Sequence, residues 1–313
     1  MTRKPIRGRF APSPSGRMHL GNVFCALISW LSVRAENGTM VLRIEDLDTA
    51  RCKEEYTEQL LDDLRFLGLD YDEGEGVGGP CGPYRQSERQ DIYREALSFL
   101  TEKQLVYPCY CSRDELHAPS APHASDGRVL YSGTCRDLTT EQRAAKTRSP
   151  AYRLKAKDDD VVFTDGHYGP QRMNVREEWG DFLIRRSDGM FAYQLAVSAD
   201  DAAMGITQVV RGRDLLTSVA PQLQLFELFG EMPPSYYHIP MLLAPDGRRL
   251  SKRDRDLDMG ALRERFSSPE PIIGHLLYLS GILPCDEPIS ARDAVAMFSW
   301  DALCRQDIVV RQI

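Results

Sequence analysis

Arg9 to Asn22 reads RFAPSPSGRMHLGN and runs directly into the apolar series Val23, Phe24, Ala26, Leu27, Ile28, Trp30 and Leu31. No other stretch limits the fold as much. Pro12, Pro14 and Gly16 exclude regular structure, because proline fixes φ and lacks a donor while glycine opens conformations that other residues avoid. From about Leu20 the apolar spacing becomes helical, so His19, Gly21 and Asn22 fall at a helix start. Such a start offers N–H groups and the positive end of the macrodipole to a phosphate, and a glycine lets the anion approach. His19 then points an imidazole at the same anion. An ordinary strand-to-helix loop with a surface histidine fits these residues equally well, since a short glycine turn does not separate the two.

A second segment shifts that balance. Gly247 to Asp254, GRRLSKRD, sets Lys252 among Arg248, Arg249 and Arg253. A lysine on a polar loop is a mobile point charge for phosphate, although runs of this kind also serve as solvated basic loops. Together the two segments resemble the paired signatures of class I aminoacyl-tRNA synthetases, with His19-Leu20-Gly21-Asn22 for "HIGH" and the RLSKR around Lys252 for "KMSKS". RFAPSPSG, RIEDLD (Arg43 to Asp48) and VVRGRDLL (Val209 to Leu216) are similar, more narrowly, to the glutamyl-tRNA synthetase family. The likeness runs through most of residues 7 to 255 in the family's order. Two departures are visible: Asn22 replaces the second histidine of the name motif, and Ser15 stands where full-length enzymes usually carry threonine. Neither removes a group the chemistry needs.

At 313 residues the chain has room for about two domains and a sizeable core. An apolar content of 42% beside 27% charged residues matches a soluble globular protein. No apolar run reaches membrane-spanning length, and MTRKPIRGRF is basic without an apolar h-region. The expectation is a cytoplasmic monomer with no membrane partner. A formal charge of −7 argues against a large basic nucleic-acid domain but permits a local basic face. The eight cysteines read as reduced thiols, with metal binding the first suspicion for the one group among them.

Along the chain, Arg9 to Ala11 ends a first strand and Thr39 to Ile44 reads as a buried strand. Strand, helix, strand implies a parallel sheet with ligands outside the strands' carboxyl ends. Glu45, Asp46 and Asp48 sit at that end, where Asp48 and Thr49 read as caps for a helix beginning near Lys53. Glu54 to Leu67 has helical spacing closed by Gly68. Glu73 to Tyr84, EGEGVGGPCGPY, lacks the GK[ST] of a phosphate loop and reads as a flexible surface connection. Ser87 to Lys103 is amphipathic. Ala151 to Leu154, Val161 to Thr164 and Asp181 to Arg185 suggest short strands, and Gln208 to Val210 a buried one. Arg211 follows at its end, well placed to fork onto a carboxylate, with a structural salt bridge as the rival. Tyr193, in the apolar run Phe191 to Ala199, is either a core aromatic or a pocket residue. Ala261 to Phe266, Ile272 to Leu283 and Ala291 to Phe298 are apolar-periodic helices.

Cys109 and Cys111, with Cys135 in YSGTCR, are close enough in sequence to share one tetrahedral ion. Two core cysteines and a stray third is the other reading. Chemistry alone selects His117 or His123 as a fourth ligand over a tyrosine. The resemblance narrows here to a shortened branch of the glutamyl-tRNA synthetase family that acts on queuosine-containing tRNA(Asp), whose zinc is held by three cysteines and one tyrosine. On that pattern Tyr131 completes one structural zinc per chain, with no open position for water.

The resemblance implies an α/β fold: a class I synthetase-type doubly wound parallel sheet with a small zinc-binding insert and a C-terminal helical subdomain. Its parts would be residues 1–106 and 151–255 for the two catalytic halves, 107–150 for the insert and 256–313 for the helical end. It places Arg9, Phe10, Ala11, Pro12, Ser13, Glu45, Tyr193 and Arg211 in a glutamate pocket, with Glu45 on the ammonium. His19, Gly21, Asn22 and Lys252 would bind ATP, with Mg²⁺, and His19 and Lys252 would be catalytic. The implied reaction forms glutamyl-adenylate without tRNA and transfers glutamate to the queuosine nucleoside at the wobble position of tRNA(Asp). Full-length glutamyl-tRNA synthetases continue into a helical anticodon-reading domain for which this sequence has no residues. Three other readings are a truncated enzyme charging a tRNA 3′ end, a nucleotidyltransferase that would not need Arg9, Glu45 and Arg211, and a non-catalytic zinc-dependent RNA-binding protein. Intact His19 and Lys252 weigh against the last.

Overall fold

The computed structural model describes residues 5–116, 130–250 and 257–311, so Lys252, His117 and His123 lie outside the described residues. Strand β1 (Arg7–Phe10) breaks at the Pro12 and Pro14 segment, and the chain then enters helix α1 (Leu20–Ala35). Strand β2 (Thr39–Leu42) pairs parallel to β1, with Arg7 opposite Thr39 and Phe10 opposite Leu42. At Gly8 the helix rests on the strand. A Cβ there would meet Val33 Cγ2 at 2.3 Å, so only glycine allows this approach. Leu27, Ile28 and Leu31 of α1 are fully covered, the pattern of a helix inside an α/β layer. Its buried serines are satisfied: Ser32 Oγ donates to Gln208 Oε1 at 3.0 Å and Ser29 Oγ to the Val210 carbonyl at 3.3 Å.

Helix α2 (Glu54–Leu67) ends on Gly68 at φ 71°, a left-handed cap. Two expectations change nearby. The N-cap of α2 is Lys53, without a side-chain cap bond, so Asp48 and Thr49 do not cap it. Asp48 instead turns the chain through its carbonyl, which accepts from Arg51 N at 3.0 Å and Cys52 N at 2.9 Å. Nor is Glu73 to Tyr84 a loose connection. Glu73–Gly74 forms strand β3, parallel to β2, and the Arg7 guanidinium forks onto Glu73 with both bonds at 2.6 Å. The buried Tyr84 hydroxyl donates to the same carboxylate at 2.8 Å. Local composition predicts flexibility, but a long-range ion pair ties the segment to the sheet edge. Helix α3 (Gln90–Glu102) follows.

Strand β4 (Val106–Cys109), β5 (Ala151–Leu154), the hairpin of β6 (Asp160–Asp165) with β7 (Gly169–Asn174), and β8 (Phe182–Arg185) interrupt the parallel sheet. They pair antiparallel, in the order β4-β5-β8 with β6-β7 separate. The run at Phe191 becomes the helix Tyr193–Ala203, whose Leu195 and Ala196 pack with Tyr93, Leu100, Phe182 and Ile184. Strands β9 (Gln208–Gly212) and β10 (Ser235–Ile239) then rejoin the first sheet, giving the all-parallel order β10-β9-β1-β2-β3. The order reverses between β1 and β9, the switch point where ligands bind in open α/β sheets.

Strand β11 (Leu242–Leu243) pairs parallel to β12 (Ile308–Val309), so the end of the chain returns to the sheet-bearing body. Met259 and Leu262 of the helix Met259–Arg265, and Ile272, Ile273, Leu276 and Leu277 of the helix Glu270–Leu279, belong to the same core as Phe10, Leu27 and Leu42. The helical end therefore completes the first core. Among the described residues no helix is long and apolar enough to cross a membrane.

Candidate active site

A cavity of about 380 Å³ opens at the switch point. One wall is the start of α1. His19 is its N-cap, and its Nδ1 accepts the Gly21 N–H at 3.1 Å while Asn22 Oδ1 accepts the His19 N–H at 3.2 Å. The helix start is thus capped by its own side chains, and the Gly21 N–H expected to face an anion is already engaged. With Nδ1 accepting, the imidazole proton sits on Nε2, which makes the ring a donor at its far end. A side chain at Gly21 would crowd the same ring, since a Cβ there would lie 3.0 Å from His19 Cε1. Asn22 keeps the reciprocal cap closed in place of the histidine of the name motif.

The opposite wall is charged. Arg9, at the end of β1 and 5% exposed, donates from Nε to Asp201 Oδ1 at 3.4 Å and from Nη1 to the Val210 carbonyl at 3.5 Å. Phe10, Ala11, Pro12 and Ser13 continue this wall. The loop is pinned beside the carboxyl end of β2, because the Pro12 carbonyl accepts the Glu45 N–H at 2.9 Å. Glu45 Oε1 accepts from Arg43 Nη2 at 3.1 Å. Burial pushes the Glu45 carboxyl above its ordinary range against the pull of Arg43 and Arg9. Asp201 is also buried, but Arg43 and Arg9 outweigh that burial and hold it below the usual carboxylate value. Arg211, at the end of β9, lines the cavity together with Tyr193. Burial raises the Tyr193 phenol against the Arg211 charge, so the hydroxyl stays protonated and able to donate. Beyond Ser13, Glu45 and Tyr193 lies a second cleft of about 430 Å³, with Arg51 and Arg186 on its lining.

In the insert, the sulfurs of Cys109, Cys111 and Cys135 lie within 4.8 Å of one another. Cys111 Sγ is 3.6 Å from Cys135 Sγ, and the Tyr131 hydroxyl is 3.4 Å from Cys109 Sγ and 3.9 Å from Cys111 Sγ. A tetrahedron with zinc–sulfur bonds of about 2.3 Å has edges of about 3.8 Å. These four atoms therefore fit one small cation, with the phenol oxygen in the place left open by the sulfurs. Arg153 stacks 3.8 Å over the Tyr131 ring and fixes its plane. Burial, together with Cys109 and Cys135, pushes the Cys111 thiol up to about 12, so three thiolates here need a countercharge.

The family model for the catalytic domain of class I tRNA synthetases (E and Q) matches residues 5–301. The chain belongs to this family. It is 47% identical over 308 residues to the glutamyl-Q tRNA(Asp) synthetase of Nitratidesulfovibrio vulgaris, an alignment covering 97% of this chain and 95% of that protein. A protein of the same name from Symbiobacterium thermophilum is also 47% identical, with 96% and 94% covered. The glutamate–tRNA ligase of a Sulfurihydrogenibium species is 43% identical over 87% of this chain and 58% of its own length. Among solved structures, a glutamate tRNA ligase from Elizabethkingia meningosepticum, crystallised with its amino acid, superposes with a TM-score of 0.83 at 30% identity, covering 98% of this chain and 67% of that one.

In this synthetase every expected ATP or glutamate residue among the described ones lines the one cavity. Several groups that shape it escape sequence reasoning. Arg43 is fully buried and donates to Asp201 Oδ1 at 2.7 Å as well as to Glu45. Asp200 accepts from Arg89 at 2.6 Å, and from Gln86 and Tyr93 at 2.8 Å each. Arg43 had a signal, since it stands two residues before Glu45 on an extended segment and shares its face. Asp200 and Asp201 had a fainter one, as adjacent acids in an apolar helix. The synthetase's cavity thus sets two guanidinium groups and a carboxylate against an imidazole donor, an arrangement suited to a dicarboxylic zwitterion beside a phosphate.

Proposed function

We propose that this synthetase joins L-glutamate to ATP as glutamyl-adenylate, without needing tRNA, and then transfers glutamate to the queuosine nucleoside of tRNA(Asp). One observation carries the first half: Arg9, Glu45 and Arg211 share a cavity with His19. Two carboxylates and one ammonium match two arginines and one acid, and glutamate carries that set. The second half draws on 47% identity through nearly the whole length of two glutamyl-Q tRNA(Asp) synthetases.

An α-carboxylate oxygen of glutamate forms a bond to the α-phosphorus, and the bond from that phosphorus to the bridging oxygen breaks, so pyrophosphate departs with the electron pair. The protein contributes alignment and charge rather than covalent chemistry. His19 Nε2–H donates to a phosphate oxygen, Gly21 and Asn22 hold the imidazole in place, and Lys252 neutralises the departing pyrophosphate. Mg²⁺ binds mainly through phosphate oxygens. Arg9 and Arg211 take the carboxylates, Glu45 the ammonium, and the Tyr193 hydroxyl donates within the pocket. The second cleft, sharing Ser13, Glu45 and Tyr193 with the first, admits the acceptor nucleoside, whose hydroxyl displaces AMP from the adenylate carbonyl. Cys109, Cys111, Tyr131 and Cys135 hold a structural zinc that clamps the insert.

ATP–pyrophosphate exchange with glutamate, aspartate and glutamine, each with and without tRNA, tests this reading. Exchange with glutamate alone is expected, and none without tRNA would refute tRNA-independent activation. Transfer is measured with tRNA(Glu) and with queuosine-bearing tRNA(Asp); charging of tRNA(Glu) instead would show a tRNA 3′ end to be the acceptor. Lys252→Ala is expected to lower kcat on the order of 10²- to 10³-fold while the KM for glutamate stays within about twofold; an equal loss in both would make the loop structural.

A further inference from the structure

Protein groups engage three of the five N–H groups of Arg211. Nε donates to His238 Nε2 at 3.0 Å, Nη1 to Gln222 Oε1 at 3.0 Å and Nη2 to the Leu215 carbonyl at 3.1 Å. That leaves one N–H on each terminal nitrogen, the pair with which a guanidinium grips a carboxylate. The first of these bonds carries a chemical condition. A guanidinium cannot accept, so His238 Nε2 must offer a lone pair and the ring proton must sit on Nδ1.

Asp165 meets that condition. Its Oδ2 lies 2.6 Å from His238 Nδ1. Its Oδ1 accepts backbone N–H groups from Tyr168 at 2.8 Å, His167 at 3.0 Å and His238 at 3.4 Å, so the carboxylate cannot swing away. Asp165 and His238 are 1% and 0% exposed, which keeps water from competing for either ring nitrogen. The three residues come from three strands: Asp165 ends β6, His238 lies in β10 and Arg211 in β9. The charged groups facing the imidazole are Asp165 and Arg211, and Tyr236 stacks on it at 6.4 Å. Burial lowers the His238 pKa, Asp165 opposes this and Arg211 reinforces it, with the net direction down, so the ring is neutral near pH 7.

We infer that Asp165 and His238 are positioning residues for amino-acid binding: the carboxylate fixes the Nδ1–H tautomer, the tautomer gives Arg211 Nε its acceptor, and Arg211 thereby aims its remaining fork at a substrate carboxylate. The inference rests on the cavity being the amino-acid site. A purely structural network would need the same three bonds for stability but would leave glutamate affinity untouched by a change of tautomer.

Nitrogen-15 NMR of the wild-type protein with labelled imidazoles reads the tautomer directly. A proton on Nδ1 and a bare Nε2 are expected for His238, and the reverse overturns the relay. Asp165→Asn then tests its use. The His167 and Tyr168 amides claim the new side-chain oxygen, so its NH₂ faces Nδ1 and drives the ring proton to Nε2, against Arg211. In pyrophosphate exchange this variant is expected to raise the KM for glutamate by about 10- to 100-fold with the KM for ATP within about twofold. His238→Gln, whose amide both accepts from Arg211 and donates to Asp165, is expected to restore glutamate KM to within about fivefold. A folded Asp165→Asn with unchanged glutamate KM, or a loss shared equally by both substrates, overturns the proposal. Should Asp165→Asn not fold, the tautomer and the His238→Gln kinetics still decide it. If the wild type exchanges no pyrophosphate with glutamate, the assignment of the cavity fails instead, which the NMR result distinguishes from failure of the relay.

Discussion

Around Glu45 the buried charges are networked through shared partners. Arg43 reaches Asp201 at 2.7 Å, Glu45 at 3.1 Å and Asp200 at 3.7 Å, and Asp200 is held again by Arg89. Around Cys109 the opposite holds. The insert's apolar cluster is Tyr107, Cys109, Tyr131 and Cys135 with a few half-buried neighbours, so three of its four buried residues are also proposed ligands. The cavity proposed to take the amino acid sits on a parallel sheet and can lose one group without losing its shape. Among the described residues the insert has no comparable reserve. Polar groups position both regions, but in the first they tune a scaffold that apolar burial already holds, and in the second they are the scaffold.

The sharpest way to break this contrast is Cys109→Ser. Metal analysis is expected to fall from about one zinc per chain to near zero, and the insert to become protease-sensitive, because a structural zinc supplies on the order of 10 kcal/mol of folding energy. A retained full equivalent of zinc would remove the ligand assignment. Arg43→Met comes next. It removes the cation that Glu45, Asp200 and Asp201 share, leaving Asp201 only its longer contact with Arg9, and is expected to cost about 3–5 kcal/mol in denaturant unfolding, with the circular dichroism of the folded state unchanged. A cost below about 1 kcal/mol would mean that the network is wetter than its burial implies.

Glu45→Gln addresses the pocket alone. The KM for glutamate is expected to rise about 10- to 100-fold, the worth of a hydrogen bond to a charged group, with little change in thermal midpoint. In the wild type, the proposed ammonium binding needs ionised Glu45, whose pKa in the folded protein is raised. Glutamate affinity is therefore full above that raised value and lost as pH falls through it, sooner than for an ordinary carboxylate. Stability moves the other way, because a carboxyl whose folded pKa is raised favours the folded state more as pH falls through it. Glu45→Gln should erase both pH steps, and a persisting step would assign the titration elsewhere. The smallest effect is expected at Asp48→Ala, within about 0.5 kcal/mol in thermal unfolding. Among the described residues its side chain forms no hydrogen bond, and a loss near 1 kcal/mol would restore the capping role.

Legibility in the sequence follows the range of the interaction concerned. Helix α1, the strands at Arg7 and Thr39 and the cap at Gly68 depend on neighbours a few residues away, and periodicity and punctuation reveal them. Asp48 misleads because an acid before a helix has several local uses. Glu73 to Tyr84 misleads because Arg7, far upstream, supplies its restraint. The expected pocket residues were legible through family motifs, which record the outcome of folding rather than its cause. Nothing local marks His238 as the acceptor for Arg211, or Asp165, 73 residues earlier, as the partner of His238.

Linear order alone was enough for the alternation of strand and helix, the helix start at His19, the grouping of Cys109 and Cys111, and the presence of acids and arginines at strand ends. These depend on backbone preferences and on spacing along one chain. Only the folded molecule decided that the Gly21 N–H is taken by His19, that the C-terminal helices share the first core, and that Arg43 stands between three carboxylates. Each of these needs groups far apart in sequence to meet in an interior where an unpaired charge or donor is costly. That penalty acts only once water has been excluded, which is why three-dimensional packing, not residue order, determines where each buried proton and charge resides.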